Sequence, residues 1–133
     1  MPLSFEFDWK HRIMRCRLHG RITDEDLKSL YTIGYKLVFR MQPVAVITDG
    51  SDGKSFEISP QAIREFAKAA PVLPNPDLPR VIVAPSPELY RMARMFEIQG
   101  ATTRPNLHIV RTEREALVIL AVQNLRFEPL DPE

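Results

Sequence analysis

The chain has 133 residues, of which 44% are hydrophobic and 26% are charged, and its formal net charge is +1. This length is enough for one domain with a hydrophobic core. So small a net charge gives no field that would draw the protein to nucleic acid or to a membrane surface.

The single cysteine and the lack of long apolar stretches predict the cellular compartment of the protein. One cysteine excludes an internal disulfide and is typical of reducing conditions. The first residues lack the basic and apolar segments of a signal peptide, and no apolar run approaches the ~20 residues of a membrane span. We therefore expect a cytoplasmic protein without a transmembrane segment.

The N-terminal third predicts a hairpin and a helix. Leu3, Phe5 and Phe7 alternate with polar residues, residues 12–18 alternate again, and this period of two is typical of strands. Residues 20–23 interrupt the strand pattern. Thr23 is a good N-cap for a helix, because acidic residues follow it in the first turn. Gly34 lies in the middle of this helix, where we expect close packing against the sheet.

The remaining elements alternate between strand and helix. Residues 44–47 are continuously apolar and predict a central strand that is buried on both faces, followed by a polar loop over residues 51–58. Strands are also predicted at residues 80–84 and 107–110, with a stiff connector at 71–79. The pairs Ser59-Pro60 and Ser86-Pro87 each start a helix. Thr112 and Glu115 form a capping box before the last one.

These elements predict an α/β fold with four helices and an N-terminal β-hairpin. We expect a four- to five-stranded, mostly parallel sheet with the first strand antiparallel at an edge. Residues 1–125 form the single domain. Residues 126–133 form a C-terminal tail that we expect to fray.

Two segments resemble a known family. Residues 20–27 read Gly-Arg-Ile-Thr-Asp-Glu-Asp-Leu after the hairpin, and residues 112–117 read Thr-Glu-Arg-Glu-Ala-Leu before the last helix. With these segments, the succession of predicted elements over roughly residues 3–122 is similar to STAS domains, and more closely to the SpoIIAA-like (STAS/SEC14-like) branch. The resemblance implies a (βα) superhelix and a regulatory role. Antagonists of that family carry Asp-Ser-(Ser/Thr)-Gly after the central strand, with a phosphorylated serine or threonine. Residues 48–53 here read Thr-Asp-Gly-Ser-Asp-Gly, so the order differs.

The carboxyl ends of the parallel strands are where ligands bind in open sheets. A partner-binding or phosphoacceptor loop is predicted there, comprising Asp49, Ser51, Asp52, Ser55 and Ser59. The alternative is that these are turn residues and caps. Ser86 is a candidate for binding an anion at a helix N-terminus, and its alternative is an ordinary cap.

Two helices carry wide apolar stripes. The candidate interface residues are Tyr31, Tyr35 and Phe39 at i, i+4 and i+8 on one helix, and Met92, Met95 and Phe96 on another. Such stripes form a subunit interface, an apolar ligand groove or a fully covered helix.

Other classes of site have weak support. The histidines at positions 11, 19 and 108 and Cys16 lack metal-ligand spacing, so we expect no metal. Nucleotide motifs and a nucleophile elbow are absent, so no cofactor is predicted.

Three functions remain open at this point. The favoured one is a non-enzymatic regulatory domain with a protein partner or a homodimer contact. The second is a binder of a lipid or another small apolar ligand. The third is an enzyme with Asp49, Asp52 and His108 as acid–base groups, which requires a polar cleft.

Overall fold

The computed structural model describes residues 2–133, which form one six-stranded sheet and four helices. The strands are β1 (Leu3–Asp8), β2 (Ile13–Thr23), β3 (Ala45–Glu57), β4 (Arg80–Val83), β5 (Leu107–Val110) and β6 (Glu128–Pro129). The helices are α1 (Asp24–Met41), α2 (Pro60–Lys68), α3 (Pro87–Gln99) and α4 (Glu113–Leu120). This order confirms the predicted hairpin and the strand–helix alternation.

The strands lie side by side in the order β5-β4-β3-β2-β1-β6. Strands β2 to β5 are parallel, whereas β1 pairs antiparallel with β2 and with β6. The mostly parallel sheet is confirmed, with six strands where four or five were predicted. The additional strand is C-terminal, because the Leu130 N–H donates to the Phe5 carbonyl at 2.8 Å and β6 pairs with β1. The expectation that β1 is an edge strand is therefore wrong, and residues 128–130 of the predicted tail are hydrogen-bonded to β1.

Strands β2 and β3 are both longer than predicted. Strand β2 continues through residues 20–23, and β3 continues through residues 51–57, where we expected a loop. The two extensions pair with each other, with Ile22 opposite Phe56, and both of these side chains are buried. The register shifts near Gly20, whose φ is +67°, as in a β-bulge. Pairing between the segments thus overrides their polar, glycine-bearing composition.

Hydroxyl side chains cap the helices at the predicted positions. The Thr23 hydroxyl accepts a hydrogen bond from the Asp26 N–H, and the Asp26 carboxylate accepts one from the Thr23 N–H. This reciprocal pair is a capping box, which fixes the start of α1. The N-caps of α2, α3 and α4 are Ser59, Ser86 and Thr112.

Gly34 packs against the connector at residues 71–79. A Cβ atom at Gly34 would come within 3.0 Å of Cγ1 of Val72 in that connector. The close approach in the middle of α1 is therefore to the proline-rich connector, which corrects the expectation that α1 approaches the sheet there.

Helices cover both faces of the sheet. Helices α1 and α3 pack on one face, where Phe5, Cys16 and Leu89 belong to the larger core cluster. Helix α4 and the segment that follows it cover the other face, with Ile47 and Ala116 in the second cluster. The first face, together with α2 and the connector, borders the cavity described next.

Candidate functional site

A cavity lies between the sheet and helices α1, α2 and α3. Its volume is about 170 Å³, it is partly open, and apolar side chains form most of its lining. The lining includes Phe5 and Leu18 from the sheet, Leu30 and Gly34 from α1, Phe66 from α2 and Ala93 from α3. An engineered apolar cavity of about 150 Å³ holds benzene, so this one has room for an aromatic ring or a short alkyl chain.

The predicted interface residues divide between this cavity and the surface. The side chains that line the cavity are Tyr31, Met92 and Phe96. The side chains exposed at the surface are Tyr35 (40%), Phe39 (81%) and Met95 (39%). Each of the two predicted stripes therefore contributes side chains both to the apolar cavity and to the exposed surface. A role of these residues in an interface stays a prediction.

Tyr31 lies at the centre of an aromatic and basic cluster. Its ring stacks on Phe66 with the ring centroids 4.7 Å apart, and its hydroxyl accepts a hydrogen bond from Arg104 at 3.1 Å. The Arg104 guanidinium also lies 4.8 Å from the Phe96 ring centroid. Burial raises the pKa of Tyr31, and the positive charge of Arg104 offsets part of that effect.

Two buried arginines border the cavity. Arg80 and Arg104 both line it, and each is only 5% exposed. Their acceptors include backbone carbonyls: those of Leu73, Asn75 and Leu78 for Arg80, and those of Ala67 and Ala69 for Arg104. Burial lowers the pKa of Arg80, and the nearby charge of Arg104 lowers it further.

Sequence reasoning missed both arginines as site residues. One signal was present, because Arg80 opens the apolar run that we predicted to be a buried strand. Arg104 gave no such signal, since it lies between α3 and β5 in a polar segment and reaches the cavity only through the tertiary fold.

Asp49 and Ser51 form local side-chain hydrogen bonds within β3. The Asp49 carboxylate is buried, and its Oδ1 accepts hydrogen bonds from the Ser51 N–H at 2.9 Å and from the Ser51 hydroxyl at 2.6 Å. Asp49 is also the last residue of β3 that pairs with β4. The two residues thus hydrogen-bond to each other at the point where β3 extends beyond β4.

Asp52 belongs to a cluster of polar side chains from β1, β2 and β3. Its carboxylate pairs with Arg17, and its Oδ2 lies 3.8 Å from Nδ1 of His19. Nε2 of the same histidine is 2.8 Å from the Ser4 hydroxyl. This arrangement of Ser4, His19 and Asp52 was not visible in the sequence, because the hairpin register brings Ser4 near His19 and the pairing of β2 with β3 places Asp52 opposite His19. A nucleophile of this type also needs donors for the developing oxyanion in an enclosed site. None of the three residues lines the cavity.

The predicted loop of serines does not exist as a loop. Ser55 lies in β3 opposite Arg21, and Ser59 caps α2. The Ser59 hydroxyl donates to Asp24 at 2.8 Å and accepts from the Ala62 N–H at 3.0 Å, so both of its hydrogen-bonding roles are occupied. The structure therefore has a strand and a helix cap where a loop was predicted. The phosphoacceptor role of these residues stays a prediction.

Ser86 caps α3 by accepting a hydrogen bond from the Leu89 N–H at 3.1 Å. Glu88 lies in the same first turn, where its carboxylate accepts a hydrogen bond from the Phe56 N–H at 3.0 Å. A side-chain carboxylate therefore already occupies the region in which the helix dipole favours negative charge. Binding of an external anion at Ser86 stays a prediction.

Within residues 2–133, no three His, Cys, Asp or Glu side chains converge as a metal site would require. Each histidine has its own partner: Asp8 for His11, Ser4 for His19 and Asn106 for His108. Cys16 is a buried core residue, as predicted, and burial raises the pKa of its thiol to about 12. In the same part of the chain, no helix combines the length and the apolar character that crossing a membrane demands.

Comparison with known proteins identifies the fold. No family model and no curated protein matches the chain. The structure of the anti-sigma factor antagonist SpoIIAA in its unphosphorylated form is similar, with a TM-score of 0.57 and 11% identity over 91% of this chain and 99% of that one. The phosphorylated form of SpoIIAA, the Bacillus cell fate determinant, gives a TM-score of 0.56 and 17% identity over 89% and 98% of the two chains. The protein therefore has a SpoIIAA-like, STAS-type fold, as the sequence predicted.

Proposed function

We propose that this chain is a regulatory domain that acts by contacting another protein, and that it is not an enzyme. The likeness of nearly the whole chain to SpoIIAA supports this role, since that protein is described as an anti-sigma factor antagonist. A fold hosts many functions, so the proposal also needs a surface on this chain. We place the role in the cytoplasm, in line with the single cysteine and the composition.

The observation that carries the proposal is an exposed aromatic surface on α1, formed by Tyr35 and Phe39. Phe39 is the most exposed large hydrophobic side chain of residues 2–133. Tyr35 lies one helical turn earlier, and its hydroxyl donates to the Ala70 carbonyl, which holds its ring at the surface. Aromatic side chains are enriched at the centres of protein interfaces, because they bury a large area with few rotatable bonds.

Site-specific photocrosslinking in cells that naturally produce the protein tests this contact. A photoreactive amino acid replaces Phe39 in one variant and Arg114 in the control, since Arg114 is exposed on α4, across the sheet from α1. We expect a discrete adduct with one protein from position 39 and none from position 114. Adducts of equal yield at both positions, or at neither, would contradict a specific contact at this surface.

The cavity supports a second candidate function, which is the binding of a small apolar ligand. Empty apolar volume in a core is destabilising, because the side chains around it lose packing contacts. A ligand that fills the volume restores those contacts. The size and the apolar lining of the cavity are the specific observations that favour this candidate.

The second candidate is tested by filling the cavity from the protein side. Ala93 is buried and lines the cavity, so Ala93→Leu takes up part of its volume. The matched control is Ala101→Leu, since Ala101 is exposed beyond α3. In an NMR titration with 1-hexanol, we expect shifts of cavity-lining residues in the unaltered protein and in the control but not in Ala93→Leu. A titration without shifts in the unaltered protein would contradict this function.

A further inference from the structure

Two positively charged side chains line this mostly apolar cavity. Its lining includes Arg80 and Arg104 but no aspartate or glutamate. Neither guanidinium forms an ion pair with any residue in the described part of the chain. Arginine is almost never fully buried in proteins unless it is paired. Two buried cations without a counter-charge, at one apolar cavity, point to a missing anion.

Arg80 also retains a free donor. Its Nη atoms donate to three backbone carbonyls, whereas its Nε–H is buried and has no acceptor within residues 2–133. A buried donor without a partner is unfavourable. Nε of Arg15 and of Arg17 also lacks an acceptor in that part of the chain, but both of those arginines pair with acidic side chains and lie away from the cavity. The orphaned N–H group belongs to a residue that lines the cavity, so an acceptor bound there could satisfy it.

We propose that the cavity binds a small apolar carboxylate. The apolar body of this ligand occupies the lining provided by the sheet and helices α1 to α3, and its carboxylate faces Arg80 and Arg104. The inference rests on the second candidate function, because it names the chemical class of that ligand. The cavity volume of about 170 Å³ limits the body to one aromatic ring or a short alkyl chain.

A carboxylate fits this site for two reasons. Its oxygens match the planar guanidinium group in charge and in hydrogen-bonding geometry. A negative charge would also compensate the burial and the mutual repulsion that now lower the pKa of Arg80. A neutral apolar ligand provides neither effect, so the charge of the ligand is the property to test.

The competing explanation is that both arginines are purely structural. Arg80 donates hydrogen bonds to backbone carbonyls of the connector, and Arg104 donates to a carbonyl near the end of α2 and to the Tyr31 hydroxyl. In that case the cavity would bind an acid and an alcohol of the same length with similar affinity. The two explanations therefore differ in the preference for charge.

The test is a titration of the full chain with hexanoate, 1-hexanol and hexylamine at pH 7, followed by NMR, with benzoate and benzyl alcohol as an aromatic pair. We expect each carboxylate to bind at least about tenfold more tightly than its alcohol, because charge-assisted hydrogen bonds are the stronger ones. We expect hexylamine not to bind. Ala93→Leu must abolish the shifts caused by the carboxylates, and shifts that persist in that variant would overturn the assignment to this cavity.

Arginine variants identify the source of the preference. Arg104→Met removes the charge at similar length and is expected to abolish the preference for hexanoate, while Arg104→Lys retains part of it. The exposed Arg114→Met is the control and leaves the preference unchanged. Because variants at Arg104 also lose structural hydrogen bonds, the ligand comparison in the unaltered protein decides the proposal on its own.

The outcomes separate this inference from the function on which it rests. Binding of 1-hexanol as tight as that of hexanoate would overturn the anion site and leave the apolar cavity function intact. Absence of binding for all the probes would overturn both. Preferential binding of the carboxylates that is lost in Ala93→Leu supports both.

Discussion

Asp8 connects the two ends of the chain, and its removal should be strongly destabilising. Its carboxylate is 2% exposed and accepts hydrogen bonds from the backbone N–H groups of His11 at 2.7 Å and Arg126 at 2.6 Å. Asp8→Ala leaves both N–H groups without this acceptor. A net hydrogen bond to a charged group contributes about 1.5–3 kcal/mol, so for two such bonds we expect a loss of about 3–6 kcal/mol in the free energy of unfolding at pH 7.

The loss should depend on pH in a defined direction. Burial raises the pKa of Asp8, but the hydrogen bonds from Arg126 and His11 outweigh it, and the folded-state pKa lies below the ordinary 3.8. A carboxyl with a lowered folded pKa stabilises the fold above its unfolded pKa, and this stabilisation is lost as the pH falls through the folded pKa. The difference between Asp8→Ala and the unaltered protein should therefore shrink below about pH 4.

Urea unfolding at pH 7 and pH 3, followed by circular dichroism, measures both effects. The control is Asp77→Ala, since Asp77 is exposed in the connector, and it should change stability by less than about 0.5 kcal/mol. Hydrogen exchange over residues 126–130 should accelerate in Asp8→Ala. A loss below about 1 kcal/mol at pH 7, or an equal loss at both pH values, would refute the reasoning.

Three further predictions concern local structure. Asp24→Ala removes the acceptor of two hydrogen bonds from Ser59 and should lower the free energy of unfolding in urea by about 1–3 kcal/mol. The control Glu25→Ala, at an exposed residue, should lower it by less than about 0.5 kcal/mol, and equal losses in the two variants would contradict this role of Asp24. In Gly20→Ala the added Cβ would contact no other atom, but the backbone would keep a φ of +67°, which is unfavourable for alanine. Thermal unfolding should therefore show a loss of about 1–2 kcal/mol in stability from backbone strain alone, and an unchanged stability would contradict that φ. Cys16, with its pKa raised to about 12, should react with a thiol reagent at pH 8 much more slowly in the folded than in the unfolded protein; equal rates would contradict its burial.

Sequence patterns predicted the parts of the fold that local interactions determine. Thr23 and Ser59 start helices because a hydroxyl group captures an N–H group two or three residues away. The start of β3 at Ala45 was visible because a strand covered on both faces is continuously apolar, although Val44 of the predicted run precedes the strand and is exposed. These signals were sufficient for the order of the elements from β1 to α4, whereas the SpoIIAA-like fold was expected from the resemblance of the chain to that family.

Long-range pairing was not predictable in the same way. Residues 20–23 and 51–57 form strands only because they pair with each other, and β6 forms only because β1 offers it an edge. The candidate site was predictable only in part. Its aromatic and methionine side chains stood out as wide stripes, whereas Arg80 and Arg104 meet at the cavity through the folding of the connector and the end of α2.

The measurement that tests the central claim most directly is native mass spectrometry of the tagged protein purified from its own host, at mild and then at harsh desolvation. If the domain acts through the exposed aromatic surface on α1, the spectra should show a complex with a second protein or a second copy of the chain. That complex should be lost in Phe39→Ser and retained in Arg114→Ser. A bare monomer from the unaltered protein under mild conditions, or a complex that Phe39→Ser leaves intact, would contradict the account.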